Sequence, residues 1–395
     1  MEARSPSTGR DTEASYVGER TREALALAAM RIWILYAKAG AGHKMAAEAV
    51  RDAIQSMAPS CEVACLDILA QCRYPFRELY PLVYRMLVTR FTRIWGLFFW
   101  LTHALAPLRF FRWLRHVFNA FQSEAFTREF LKNPPDYVIA THFFPVEVVG
   151  FLKEGARYTG RLAGVVTDLG VHRFWIHPAV DVYFAGIEGT RRAIMREGIS
   201  SGRIQVTGIP VRRGFVPRER EGNGGLKILV AGGGMGVGPV EGLVEILLTY
   251  ANGIKQVDVV CGDNRALEHK LKLKTARFGT PSIRIHGFVE RMHELFLGAD
   301  LIITKPGGVT VSECLATATP CIFTRPIPGQ EEMNLSWLKE QGLAWAIDRP
   351  EDARTILEQI LADPSLLKEK RMKLKRDGRP FAAQAIALKI LEGFH

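Results

Sequence analysis

The chain has 395 residues, of which 48% are hydrophobic and 24% are charged. This length predicts two or three domains, and the composition is that of a globular protein, which excludes a wholly disordered or collagen-like chain. The net charge of +11 leaves phosphates, nucleic acids and anionic membranes as candidate partners.

Residues 1–30 are polar and mix both signs of charge. They lack the uninterrupted apolar core of a signal peptide, and they contain more acidic residues than a transit peptide does. We therefore expect this segment to be disordered and leave it out of the fold prediction.

From residue 31 onward, short apolar runs alternate with helical patterns, which is typical of βαβ units and parallel sheets. A first series of predicted strands covers residues 32–36, 63–66, 137–140, 163–167, 182–185 and 204–207. A second series covers residues 228–231, 257–261, 283–286, 301–304, 321–324 and 344–347. This pattern predicts an α/β protein with two Rossmann-like parallel-sheet domains that face a cleft.

The domain boundaries follow from the position of the polar stretch between the two series. We predict an N-terminal domain over 31–215, a linker over 216–226 and a C-terminal domain over 227–378. A helix over 379–395 is expected to pack back on the N-terminal domain.

The segment 73–120 interrupts the alternation of strands and helices. It carries eight arginines and one acidic residue, interleaved with thirteen aromatic residues. Aromatic rings suit the acyl boundary of a bilayer and guanidinium groups suit lipid phosphates, so we favour contact with an anionic membrane. The predicted contact residues are Arg85, Arg93, Trp95, Phe98, Trp100, Arg109, Arg112 and Trp113.

Two other interpretations of this segment remain. The first is a core helical pair with a solvated basic face. The second is a nucleic-acid surface, which the unbroken apolar cluster at 95–101 disfavours. We therefore expect no nucleic-acid partner.

Small residues followed by a histidine come directly after the first predicted strand, in the order Gly40-Ala41-Gly42-His43. Such a turn lets a ligand approach the backbone, and the start of a helix favours a neutral histidine that can act as a base. A histidine that only caps or packs is the alternative. Asp168 follows another buried strand, where it could orient a base, serve as one, or cap a turn.

The second domain contains two glycine-rich turns, each between a strand and a helix. Residues 232–238 include five glycines, which suits a phosphate-binding loop. The Gly-Lys-Ser/Thr ending of an ATP-hydrolysing loop is missing, and the next strand ends too late for a dinucleotide fingerprint. The turn at 305–308 leads to Glu313, which either accepts ribose hydroxyls or stabilises the helix dipole.

Taken in this order, the motifs resemble the monogalactosyldiacylglycerol synthase and processive diacylglycerol glucosyltransferase group of glycosyltransferase family 28. The matching positions are 40–43 with 46–49, 167–168 with His172 and Trp175, 261–264, 287–289 with Met292, 305–308 with Glu313, and 328–331 with Asn334. The resemblance runs from about residue 31 to the C-terminus. The chain is more distantly similar to the peptidoglycan enzyme that adds N-acetylglucosamine to a lipid-linked muramyl peptide.

The resemblance implies a GT-B fold and an inverting transfer of a hexose from a UDP-sugar to diacylglycerol. It implies a peripheral enzyme at the cytoplasmic face of a membrane, without metal or other cofactor. His43 is then the general base, with Asp168 as its helper or rival. The implied UDP-sugar-binding residues are Gly232, Gly233, Gly234, Gly236, Phe288, Val289, Lys305, Gly307, Gly308, Thr310, Glu313, Gln330, Glu331 and Asn334.

Three alternatives of function remain at this point. One is a UDP-N-acetylglucosamine transferase that acts on another lipid-linked acceptor. Another is a nucleotide-sugar epimerase of the same fold, which would not need the segment 73–120. The third is a basic amphipathic binding protein without activity, which the presence of His43, Asp168, Glu313 and Gln330 disfavours. The donor sugar is not decided by the sequence.

Overall fold

The computed structural model describes residues 30–38, 40–218, 225–250, 253–276 and 283–393. Residues 1–29 of the segment predicted to be disordered and the centre of the predicted linker lie outside these ranges, whereas Met30 is described and buried. Within them, twelve strands form two parallel sheets of six strands each, and each strand overlaps one of the twelve predicted runs. The predicted α/β fold with two Rossmann-like domains is confirmed.

The first sheet has the strand order β2-β1-β3-β4-β5-β6. Its central strands are short apolar runs because helices cover both faces of a parallel sheet, and β3 is buried along its whole length. The strands are β1 (Arg31–Tyr36), β2 (Glu62–Asp67), β3 (Tyr137–Ala140), β4 (Arg161–Val165), β5 (Val182–Ala185) and β6 (Ile204–Val206).

The helices of the first domain pack by apolar faces of helical period. In the first of them, Ala46, Val50 and Ile54 recur every four residues and are fully buried, which places one face on the sheet. The helices are α1 (Ala41–Met57), α2 (Phe76–Arg90), α3 (Thr92–Leu105), α4 (Arg109–Gln122), α5 (Glu124–Lys132), α6 (Phe143–Glu154) and α7 (Glu188–Arg196).

The second sheet has the order β12-β11-β10-β7-β8-β9. Its strands are β7 (Leu226–Ala231), β8 (Ile254–Val260), β9 (Ile283–His286), β10 (Leu301–Thr304), β11 (Cys321–Phe323) and β12 (Trp345–Ala346). The helices that follow are α8 (Val240–Leu247), α9 (Arg265–Thr275), α10 (Met292–Gly298), α11 (Gly308–Thr317), α12 (Gln330–Glu340), α13 (Ala353–Ala362), α14 (Ser365–Asp377) and α15 (Ala382–Glu392).

Each sheet has one point at which the strand order reverses. This point lies between β1 and β3 in the first sheet and between β7 and β10 in the second. Chains leave such neighbouring strands in opposite directions, which opens a crevice at their carboxyl ends. His43 and Thr141 follow β1 and β3, whereas the turn at 232–238 and Lys305 follow β7 and β10.

The last helix, α15, belongs to the first domain although it ends the described chain. Ala383, Ile386 and Ile390 are buried together with Val50 and Ile54 of α1. The first domain is therefore completed by a segment that comes after the second domain.

The return of the chain to the first domain is tightly packed. Arg379, between α14 and α15, lies against Gly208, which follows β6. A Cβ atom at Gly208 would stand 2.6 Å from the Cβ atom of Arg379, and the φ of Gly208 is +91°. Glycine is required here both by the close approach and by the left-handed backbone.

Helices α2, α3 and α4 form a layer whose outer side is apolar. Exposed side chains of this layer include Leu82, Met86, Ile94, Leu97, Phe98, Trp100, Leu101, Phe110, Trp113, Leu114, Val117, Phe118 and Phe121. This arrangement differs from the alternative of a core helical pair, because so many large apolar side chains face outward. We call it the apolar helical layer.

Among the described residues, no single helix is long and apolar enough to cross a bilayer. Helices α3 and α4 meet the length and composition criteria only when they are taken together, and they are bent by 115° at the break between them.

Candidate active site

An open cleft lies between the carboxyl ends of the two sheets. It brings together residues that are far apart in the chain, from Gly40 to Glu331. The predicted site residues that line it are His43, Asp168, Gly232, Gly233, Gly234, Phe288, Val289, Lys305, Gly307, Gly308, Thr310, Glu313, Gln330 and Glu331.

His43 is held in one tautomer by the first domain. Its Nδ1 atom lies 2.8 Å from the carbonyl oxygen of Thr141 and 3.0 Å from the hydroxyl of Thr167. Because a carbonyl oxygen only accepts, Nδ1 carries the hydrogen and Nε2 keeps its lone pair. Burial lowers the pKa of His43 to about 4, so the ring is neutral at physiological pH.

Asp168 stands on the same wall of the cleft, after β4. Burial raises the pKa of this carboxyl to about 6, while hydrogen bonds from Asn334 and the Gly308 N–H oppose the rise. Both donors come from the second domain. Asp168 therefore joins the two walls, and the Gly308 N–H, which was predicted to face a diphosphate, has a protein carboxylate as its acceptor.

Asn334, which is predicted to bind the UDP-sugar, is not among the described residues that line the cleft. Asn334 is fully buried, and its Nδ2 donates to Asp168 Oδ1 and to the Pro306 carbonyl, each at 3.0 Å. Its Oδ1 accepts from the Leu169 N–H at 2.7 Å. Both of its polar atoms hold Asp168 and the neighbouring turns in place.

The glycine-rich turn after β7 contributes backbone groups to the cleft. The N–H groups of Gly233, Gly234 and Met235 have no acceptor within the described ranges and are available to a ligand. Gly232 and Gly236 differ from the prediction because their N–H groups donate to Val260 and Gly233 carbonyls. These two residues shape the turn instead of donating to a ligand.

Gly236 is also absent from the cleft lining. Its φ is +58°, and a Cβ atom there would stand 2.0 Å from the carbonyl oxygen of Cys261. The turn can therefore close against the end of β8 only with glycine at this position.

Glu313 lies one turn inside α11 and is almost fully buried. Burial raises the pKa of this carboxyl to about 8, and the positive charge of Arg212 opposes the rise. Arg212 lines the cleft, and its buried Nε and Nη2 atoms have no hydrogen-bond partner in the described part of the chain. Sequence reasoning missed Arg212, although an arginine that closely follows a strand end and an apolar run was a usable signal.

Lys305 and Glu331 form the floor of the cleft near α12. Lys305 Nζ lies 3.3 Å from Glu331 Oε1, and the other carboxylate oxygen accepts from the Ile327 N–H at 2.9 Å. Glu331 is therefore fixed as an acceptor beside a cation. Gln330 lies next to it at the start of α12.

Some predicted membrane contacts have other partners. Trp95 is half-buried, and its Nε1 atom donates to the Pro328 carbonyl of the second domain at 3.1 Å, so this predicted lipid contact also joins the two domains. Arg112 pairs with Glu154 at 2.6 Å and is partly covered. The other predicted members are exposed: Arg85, Arg93, Phe98, Trp100, Arg109 and Trp113.

Tyr84 is a second cleft residue that sequence reasoning missed. It lies on α2 within the apolar helical layer, yet it lines the cleft. Its position could not be inferred locally, because it depends on how α2 approaches the second domain. Across the described residues, no three His, Cys, Asp or Glu side chains converge in a way that could hold a metal ion.

Comparisons with known proteins agree with this geometry. A family model described as monogalactosyldiacylglycerol (MGDG) synthase matches residues 43–211, and one described as glycosyl transferases group 1 matches residues 240–380. The processive diacylglycerol beta-glucosyltransferase of Bacillus licheniformis is 32% identical over 66% of this chain and 70% of its own length. That of Bacillus cytotoxicus is 28% identical over 92% of this chain and 94% of its own length.

Among solved structures, that of Acinetobacter baumannii MurG is similar to this chain, with a TM-score of 0.60 and 18% sequence identity. The match covers 92% of this chain and 99% of the other. A likeness at this identity concerns the fold, and MurG therefore supports the arrangement of two domains around a cleft.

Proposed function

Because the chain belongs to the monogalactosyldiacylglycerol synthase and processive diacylglycerol glucosyltransferase group of glycosyltransferase family 28, we propose that it transfers a hexose from a UDP-sugar to diacylglycerol with inversion. The observation that carries the proposal is the pairing of His43 with the glycine-rich turn across one cleft. A base on one wall faces phosphate-binding groups on the other.

The acceptor hydroxyl needs a base because an alcohol is a poor nucleophile. His43 is neutral, its Nδ1–H is held by Thr141, and its Nε2 lone pair can take the hydroxyl proton. The oxygen then bonds to the anomeric carbon as the bond from that carbon to UDP breaks. Asp168, ionised above about pH 6, orients the acceptor beside His43.

The departing UDP carries the negative charge that develops in the reaction. The N–H groups of Gly233, Gly234 and Met235, which have no acceptor in the described part of the chain, supply donors at that position, and Lys305 supplies positive charge. Arg212 adds two buried guanidinium nitrogens that have no partner among the described residues. These groups support a leaving-group site that works without a metal ion.

The donor hexose lies against Gln330 and Glu331 in this proposal, and Glu313 contacts the ribose. Both relatives described above are named glucosyltransferases, which supports UDP-glucose as the donor. The family model over the first domain is named for galactosyl transfer, so UDP-galactose is the second candidate.

The apolar helical layer is proposed to dock on the cytoplasmic side of a bilayer. Its outer side exposes aromatic and aliphatic residues together with Arg85, Arg93 and Arg109. Rings at the acyl boundary and guanidinium groups on anionic lipids would hold the protein peripherally at the surface. The same layer borders the cleft through Tyr84, so the acceptor lipid reaches His43 from the docked side.

A product assay tests the activity. Purified protein is incubated with vesicles of diacylglycerol and phosphatidylglycerol, with EDTA, and with UDP-glucose, UDP-galactose or UDP-N-acetylglucosamine in separate reactions. Mass spectrometry of the lipids is expected to show hexosyl-diacylglycerol from UDP-glucose. Isomerised UDP-N-acetylglucosamine without lipid product would favour the epimerase alternative, and glycosylation of a different lipid-linked acceptor would correct the acceptor.

A charge substitution tests the docking surface. Replacing Arg85, Arg93 and Arg109 by Gln is expected to weaken binding to phosphatidylglycerol vesicles, measured by co-sedimentation, by roughly 10²-fold, because each basic residue near an anionic surface contributes about 1 kcal/mol. The matched control replaces Arg157, Arg192 and Arg196 by Gln, three arginines that are exposed outside the layer. Equal binding by both variants would remove this layer as the membrane contact.

A further inference from the structure

Tyr84 is a polar group that the apolar helical layer places in the cleft. Its side chain lines the cleft with Asp168, Gln330 and Glu331. Burial raises the pKa of its phenol well above the ordinary value, and the nearby charges of Glu331 and Asp168 raise it further. The phenol therefore stays protonated and can donate a hydrogen bond.

Tyr84 is only partly buried, and among the described residues its hydroxyl makes no hydrogen bond, while the carboxylates of Glu331 and Asp168 are close enough to act on it electrostatically. A phenol that lines an open cleft in this way is free to donate a hydrogen bond to a ligand. The ring itself is well packed, since it meets the ring of Trp95 edge-on at 5.2 Å between centroids. This packing accounts for the position of the Tyr84 ring, but it does not involve the hydroxyl.

Trp95 connects Tyr84 to the turn that precedes α12. Its Nε1–H donates to the Pro328 carbonyl, and Gly96 comes so close that a Cβ atom there would stand 2.8 Å from the Cβ atom of Pro328. On the other side, a Cβ atom at Gly329 would stand 2.6 Å from the ring of Phe99. Helix α3 and the Pro328-Gly329 turn therefore fit each other closely.

The position of this turn matters because Gln330 and Glu331 follow it directly. Any shift of α3 relative to the turn moves Tyr84, through the ring of Trp95, and Glu331, through Pro328, at the same time. The two groups are thus held at a common spacing by one indole side chain.

We propose that Tyr84 binds the hexose of the UDP-sugar, and that Trp95 is the positioning residue that sets Tyr84 against Glu331. A sugar hydroxyl between them donates its hydrogen to the Glu331 carboxylate and accepts one from the Tyr84 phenol, so that both of its roles are satisfied. This inference rests on the proposed function, since it takes the donor to be a UDP-hexose. It makes the second domain's sugar site incomplete without a side chain from the first domain.

The binding test needs no lipid acceptor. Dissociation constants of UDP and UDP-glucose are measured by calorimetry for the native protein, for Tyr84→Phe, and for the control Tyr250→Phe, whose phenol lies outside the cleft. Tyr84→Phe is expected to weaken UDP-glucose binding about three- to tenfold, the loss of one neutral hydrogen bond, and to leave UDP binding unchanged. Tyr250→Phe is expected to change neither.

Two outcomes would overturn the proposal. If Tyr84→Phe weakens UDP and UDP-glucose equally, Tyr84 shapes the cleft and does not contact the sugar; if it weakens neither, the hydroxyl has no role in binding. A native protein that binds UDP-glucose with the expected discrimination and forms no hexosyl-diacylglycerol would refute the proposed acceptor and leave the Tyr84 contact standing.

The positioning role of Trp95 has its own test. Trp95→Leu is expected to raise the KM for UDP-glucose about tenfold, because Tyr84 and the Pro328-Gly329 turn both lose their support, while binding of UDP alone is retained. Trp95→Phe, which keeps an aromatic ring against Tyr84 but lacks the fused ring and its N–H, is expected to recover most of that loss. A Trp95→Phe variant as impaired as Trp95→Leu, or a loss of UDP binding in either, would contradict the role.

Discussion

The two walls of the cleft act on a ligand with different parts of the polypeptide. The N-terminal wall presents side chains, His43, Tyr84 and Asp168, whose pKa values or protonation are set by burial. The C-terminal wall adds the backbone N–H groups of the turn after β7 to side chains such as Lys305 and Glu331. In the reaction we propose, this difference assigns proton transfer to the first domain and nucleotide binding to the second.

The largest expected effect comes from removing the proposed base of the N-terminal wall while the C-terminal wall stays intact. His43→Ala is expected to lower kcat by roughly 10²- to 10⁴-fold, the range of general-base catalysis, with the dissociation constant of UDP unchanged. The measurement pairs steady-state kinetics with UDP calorimetry, and His269→Ala, an exposed histidine of α9, is the control. Near-normal turnover would transfer the base assignment to Asp168.

A second prediction alters the backbone of the glycine-rich turn in the C-terminal wall. Gly236→Ala is expected to weaken UDP binding by about tenfold or more, because a left-handed backbone costs roughly 1–2 kcal/mol with a side chain and the new Cβ atom would meet Cys261. The control is Gly298→Ala, where no heavy atom lies within 4 Å of the added Cβ. Equal UDP binding by both variants would contradict a backbone-shaped site.

The smallest expected effect is on the pH dependence of kcat, which distinguishes Asp168 from His43 within the N-terminal wall. Because burial raises the pKa of Asp168 to about 6, its carboxylate is protonated below that value, and kcat is expected to fall as the pH drops through about 6. His43 stays neutral down to about pH 4 and so does not set this limb. In Asp168→Asn the decrease in kcat is expected to shift toward pH 4. A decrease that stays near pH 6 would assign this pH dependence to another group.

The sequence predicts the strands and much of the cleft because both depend on local signals. Each strand is an apolar run between breakers, and residues such as His43, Asp168 and Lys305 stand directly after strands whose carboxyl ends meet. The roles of Tyr84, Trp95 and Asn334 depend instead on how closely the two domains approach. No periodicity along α2, α3 or α12 records that distance, so a tryptophan between domains has the same local pattern as one facing lipid.

The return of the chain at Arg379 has a mechanical consequence. The polypeptide passes between the domains twice, once after Gly208 and once at Arg379, and these two passages touch each other. Two chain crossings that touch each other form a hinge. Rotation of one domain relative to the other about this hinge opens the opposite side of the cleft, while the side next to the hinge hardly moves. Release of UDP therefore requires the contacts on the opposite side to separate, among them those of Trp95 with Pro328 and of Asp168 with Asn334.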